Sequence, residues 1–189
     1  NFIMSKLETN TIDTVSGTTN LTIGSTNTST VTVPNGALSG QNYPAFEAYL
    51  SADNSGHADN AVVKAPFDTE IFDTDNCYDN TTNYRFTPTV AGKYFVYSSQ
   101  KLQCNSSNTM AYLRVYIYKN GSVYKQALFD PTDNQANSLN LFVNAVIDMN
   151  GKTDYVEMYG LINTSGTGNT WRFDADIKNT YFGAYRIGA

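Results

Sequence analysis

The run Ala111-Tyr112-Leu113-Arg114-Val115-Tyr116-Ile117-Tyr118 alternates without a break, a period of two that suits a strand and not a helix. Ala111, Leu113, Val115 and Ile117 share one face, which reads as core. Tyr112, Arg114, Tyr116 and Tyr118 share the other. Three tyrosines at alternate positions are too amphipathic for a plain solvated face, so this row is expected to be a subunit interface. Asn120-Gly121 follows, the dipeptide favoured where two residues turn a hairpin with positive φ, so the chain should fold back through residues 122–129.

The same period recurs. Phe46, Ala48 and Leu50 alternate in one stretch, and Leu139, Leu141, Val143, Ala145 and Ile147 in another that ends at Asn150-Gly151, where a second hairpin is expected. Pro88 forbids a helix after Phe86-Thr87 and holds Thr87 extended. Fourteen Tyr, ten Phe and thirteen Gly beside only 15% charged residues favour strands and turns. The fold class is therefore all-β, and turn-separated short strands imply a sandwich. At 189 residues the chain fits one ordinary domain with a spare segment.

That spare segment is N-terminal. Residues 8–40 are rich in Thr, Ser, Asn and Gly, with apolar islands at Thr11-Ile12, Leu21-Thr22-Ile23 and Val31-Thr32-Val33 about ten residues apart. Each island is too small to make a core alone, so the segment is either a polar linker or a thin β-rich stalk in which three chains wrap one axis. With no Gly-X-Y period it is not collagen. We divide the chain into an arm or stalk, 1–42, and a globular head, 43–189.

Several motifs in the head carry a family resemblance. They are Ala45-Phe46-Glu47-Ala48, the Asn-rich turn with Tyr78-Asp79, Phe86-Thr87-Pro88, Gly92-Lys93-Tyr94-Phe95, Lys119-Asn120-Gly121, Asp154-Tyr155-Val156 and a final Phe182-Gly183 strand. In that order, across residues 44–187, they resemble the complement globular head, a jelly roll related to tumour necrosis factor. The resemblance implies a ten-stranded-type jelly-roll sandwich that assembles as a homotrimer, with calcium bound in some relatives. The opening run SKLETNTIDTVSGTTNLTIG resembles the N-terminal openings of structural proteins from tailed phages of marine bacteria. This second resemblance implies a virion protein, a short fibre or spike whose arm contacts other virion proteins and whose head adheres to a host-surface glycan or protein. A capsid decoration protein or capsid fibre is the alternative.

The polar loops would then make the contacts: residues 51–60, 105–109, 130–138 and 163–171, with Asn54, His57, Asn105, Asn134, Asn163, Thr167 and Trp171 as candidates. Trp171 also has a plainer reading, as an anchor holding its loop to the core. A net charge of −5 argues against binding nucleic acid, whose affinity comes from clustered Lys and Arg. No apolar run approaches the ~20 residues that cross a bilayer, and no basic start with an apolar stretch marks an export signal.

Material for catalysis is thin. His57 is the sole histidine. Asp68, Glu70, Asp73, Asp75 and Asp79 crowd one stretch and could serve a surface-glycan hydrolase as paired carboxylates, or calcium, but they read first as turn formers. No enzyme activity and no cofactor is expected. Cys77 and Cys104 are the only cysteines. They form no metal-type pair, and two free thiols are expected over a disulfide.

Overall fold

A computed structural model describes residues 43–105, 110–131, 136–165 and 169–188. The chain divides into two units, Asn1–Gln41 and Asn42–Ala189. The expected arm, 1–42, lies outside the described residues, as do Asn134 and Thr167.

In chain order the strands are β1 (Ala45–Tyr49), β2 (Asn54–Ala58), β3 (Val63–Lys64), β4 (Thr69–Asp73), β5 (Tyr78–Asp79), β6 (Arg85–Phe86) and β7 (Gly92–Cys104). They continue as β8 (Met110–Lys119), β9 (Ser122–Phe129), β10 (Ser138–Met149), β11 (Val156–Thr164), β12 (Thr170–Phe173) and β13 (Tyr181–Gly188). All their pairings are antiparallel. The fold is an all-β jelly-roll sandwich.

One sheet runs β4-β1-β13-β7-β10, and β12 with β2 extends it beside the far end of β7. The second runs β5-β6-β11-β8-β9, with β3 also on β11. The long strand β7 defines two ends of the head. At the base, Gly92 faces Met149 and the chain enters β1, whose Ala45 pairs with Tyr185 and, through it, Phe95. At the apex, Cys104 pairs with Trp171, and β2, β8, β11 and β12 also end there.

Alternation puts one face of each sheet into a shared core. β7 contributes Tyr94, Val96 and Leu102, β8 Leu113, Val115 and Ile117, and β13 Phe182 and Ala184. Near the middle, Phe46 stacks on Tyr78 at 4.4 Å and on Phe86 at 4.8 Å, and Phe182 meets its edge at 4.8 Å. Such ring pairs add roughly 0.5–1.5 kcal/mol each beyond burial. The Tyr78 hydroxyl, buried with its ring, donates to the Phe67 carbonyl at 2.9 Å, so it leaves no unsatisfied polar group.

The turn after Tyr78 is built by Asp79. Its carboxylate accepts from the backbone N–H groups of Thr81, Thr82 and Asn83, and these bonds, led by Thr82, hold its pKa well below the usual carboxylate range.

Two expectations are corrected. Asn120-Gly121, at φ 52° and 77°, does turn β8 back into β9, but Asn150-Gly151 closes no hairpin: β10 pairs with β7 in one sheet and β11 with β8 in the other. A short Asn-Gly connection carries the chain between layers, with the Asn150 side chain accepting from the N–H groups of Lys152, Thr153 and Asp154. The alternation of β8 also breaks at its start, where a register shift opposite Asn163 and Thr164 buries Met110 and exposes Ala111.

Candidate recognition surfaces

The tyrosine row of β8 lies on the outer face of the second sheet, where it is largely packed against its own neighbours. Tyr118 stacks on Tyr159 at 4.1 Å, and Tyr116 meets Tyr118 at 6.0 Å. Arg114 lies 5.1 Å from the Tyr112 ring centre, whose hydroxyl donates to Asn60 Oδ1 at 2.8 Å. Tyr116 is only 5% exposed. Burial pushes the Tyr118 phenol up, helped by Tyr116, and pushes Tyr159 up to about 12, with the Glu157 carboxylate adding to it. The expected exposed ladder of three tyrosines is thus corrected at Tyr116, which its own subunit already covers.

The open apolar surface is on the other sheet. Phe142 and Val146 of β10 and Tyr185 and Ile187 of β13 are each 46–50% exposed, and the register of β7 gathers them around Phe95 and Tyr97. Phe95 lies 5.6 Å from Tyr185 and 5.9 Å from Tyr97, and Tyr97 lies 6.3 Å from Tyr181. Across this patch the Tyr97 hydroxyl donates to Glu47 Oε2 at 2.6 Å. Burial first, then the Glu47 carboxylate, moves the Tyr97 pKa far above the phenol range. The sequence signal for this face is weak, because β7 and β10 carry apolar residues on both faces and the alternation is blurred.

The loop candidates separate. Trp171 is fully buried: its indole N–H donates to the Ala58 carbonyl at 2.9 Å, and its ring lies 4.7 Å from His57 and 5.1 Å from Phe173. It therefore anchors the apex, and its place among the contact residues is corrected. Asn54 and His57 lie in β2, not in a loop, because that polar stretch pairs with β12. Burial lowers the His57 pKa. Asn163 lies within β11 opposite Tyr112. Asn105 is exposed at the apex, where its amide donates to Thr170 Oγ1 at 3.1 Å.

The carboxylate-rich stretch is engaged in holding turns. Asp68 accepts from the N–H and hydroxyl of Ser51 at 2.9 and 2.7 Å. Asp73 accepts from the Tyr78 N–H at 2.8 Å and the Cys77 thiol at 3.3 Å, and Asp75 accepts from the Thr89 hydroxyl. Glu70 is exposed. Among the described residues no group of three or more His, Cys, Asp or Glu is placed to hold a metal ion. Cys77 and Cys104 are free and buried, and burial raises both thiol pKa values.

No protein-family model matches the sequence, and no curated protein does. Solved structures match by shape. A crystal structure of murine APRIL at pH 5.0 superposes with a TM-score of 0.56 at 9% identity, covering 77% of this chain and 100% of that one. The Eiger TNF of S. frugiperda gives 0.50 at 10% identity, covering 77% and 92%. The globular domain of zebrafish complement 1qA protein gives 0.50 at 16% identity, covering 76% and 97%. The head has the jelly-roll fold shared by tumour-necrosis-factor and complement globular-head domains.

Proposed function

We propose that the protein is a homotrimeric adhesive head whose copies pack through the face around Tyr97, leaving the apex to meet a target surface. The observation that carries this reading is the patch of Phe95, Tyr97, Phe142, Val146, Tyr185 and Ile187 on one sheet face, since a contiguous exposed apolar patch of this kind marks an interaction surface. The likeness of fold to tumour-necrosis-factor and complement heads supports self-association. Three copies of a weak apical site multiply avidity without a deep pocket.

The chain enters the head at the base, opposite Asn105 and the other apical residues, which suits attachment at one end and recognition at the other. The resemblance of the opening run to tailed-phage structural proteins supports a place on a virion, with residues 1–42 as the attachment. Solution mass tests the assembly: the full chain should run as a trimer, and Val146→Glu should release monomers that keep the fold. Imaging of purified particles with a label on the head tests the place. A few trimers at the tail fit host adhesion, heads spread over the shell would make it a decoration protein, and absence from particles would remove the virion.

A further inference from the structure

We infer that the outer face of the second sheet binds an acidic polysaccharide, with Arg114 as the carboxylate receptor. This goes beyond the adhesive-head reading, which places its contact at the apex, and adds a second recognition surface to the same head. The protein carries seventeen acidic residues; Lys64, Lys93, Lys101 and Lys119 each pair with one, and Arg172 with two. Arg114 has no such partner among the described residues. Its cross-strand neighbours are both apolar, Leu161 on β11 and Leu128 on β9, and its Nε is buried without a hydrogen-bond acceptor. Asp130, past the end of β9, makes no ion pair with it. A half-buried guanidinium held on a tyrosine ring with no ion pair keeps its planar fork for an incoming carboxylate.

The surroundings select a sugar. Asn163 and Gln126 lie on the same face, opposite Tyr112 and Tyr116, and neither side-chain amide is engaged among the described residues. They suit hydroxyl groups, while Leu128, 51% exposed, suits the C–H face of a pyranose ring. An extended peptide would instead seek an unpaired strand edge, which on this sheet runs along β9 and not along β8, paired on both sides and carrying Arg114. A hexuronate chain supplies what the face lacks: carboxylate, hydroxyls and a partly apolar ring. Arg85 offers a comparison, because it stacks on Tyr155 at 4.6 Å but lies between Asp79 and Glu157, whose charges disfavour an anion.

The test is calorimetric titration of the full-length protein with oligogalacturonate, with the same oligosaccharide after reduction of its carboxyl groups, and with a polyglutamate peptide. Binding of the first alone is expected, weakened about tenfold or more in Arg114→Gln, less in Arg114→Lys, and unchanged in Arg85→Gln. Thermal unfolding verifies that each variant is folded. No binding of the acidic sugar, equal binding of its reduced form, stronger binding of polyglutamate, or an unaffected Arg114→Gln would each overturn the site. The adhesive head fails separately: if the wild type is a monomer that does not adhere to cells, that reading falls, while the titration still decides Arg114.

Discussion

The ring of Tyr97 lies across Gly183 on the neighbouring strand. A Cβ on that glycine would sit 2.4 Å from the tyrosine ring, and only its absence lets the hydroxyl reach Glu47 two strands away, at 2.6 Å. Gly183→Ala should therefore displace Tyr97 and cost about 1–3 kcal/mol, as overpacking does. Tyr97→Ala in the same chain should recover part of that loss. Thermal unfolding of the single and double variants checks both.

Trp171→Ala should cost about 3–5 kcal/mol, the range for removing a buried large aromatic, and Trp171→Phe should cost less while still losing the bond to Ala58. A variant at native stability with altered adhesion alone would contradict the anchoring role.

Asp79 gives the protein a pH dependence on the acid side. Its folded pKa is depressed by the turn it caps, so its contribution is present above the unfolded value of about 3.9 and is lost as pH falls toward the folded one. Asp79→Asn should be less stable than wild type by about 1 kcal/mol near neutral pH, with the gap closing below pH 4. Chemical denaturation at a series of pH values measures it.

The two thiols act on the alkaline side. Burial raises the pKa of Cys77, aided by Asp73, and of Cys104. The native state therefore keeps these protons after the unfolded chain releases them, and stability should fall as pH rises past about 8.5. Neither thiol should react with iodoacetamide in the native protein at pH 8, and both should react once it is unfolded.

Much of the fold was legible because its strands have one wet face. Leu113, Val115 and Ile117 alternate with polar or half-polar neighbours, and Asn120-Gly121 marks the turn by its positive φ. The open apolar face was less legible, because Phe95, Phe142 and Val146 sit among polar residues on the face that the alternation of β7 and β10 assigns to solvent. β2 was missed because Asn54-Ser55-Gly56-His57-Ala58 has no apolar period; it is held by pairing with β12 and by His57 against Trp171. Trp171 itself looks like a loop residue in sequence, since the polar run before it hides the start of β12 at Thr170. At Tyr116 the row pattern was right about the face, but burial by neighbouring strands depends on packing that periodicity does not encode.

The most direct test of the account is the solution mass of the full-length protein and of Val146→Glu, measured by light scattering on the eluting peak. Val146 is 49% exposed beside Phe95, so a buried carboxylate there should break an assembly without unfolding the subunit. The account predicts a trimer for the wild type and a folded monomer for the variant. A wild-type monomer, or a variant that stays trimeric, would contradict it.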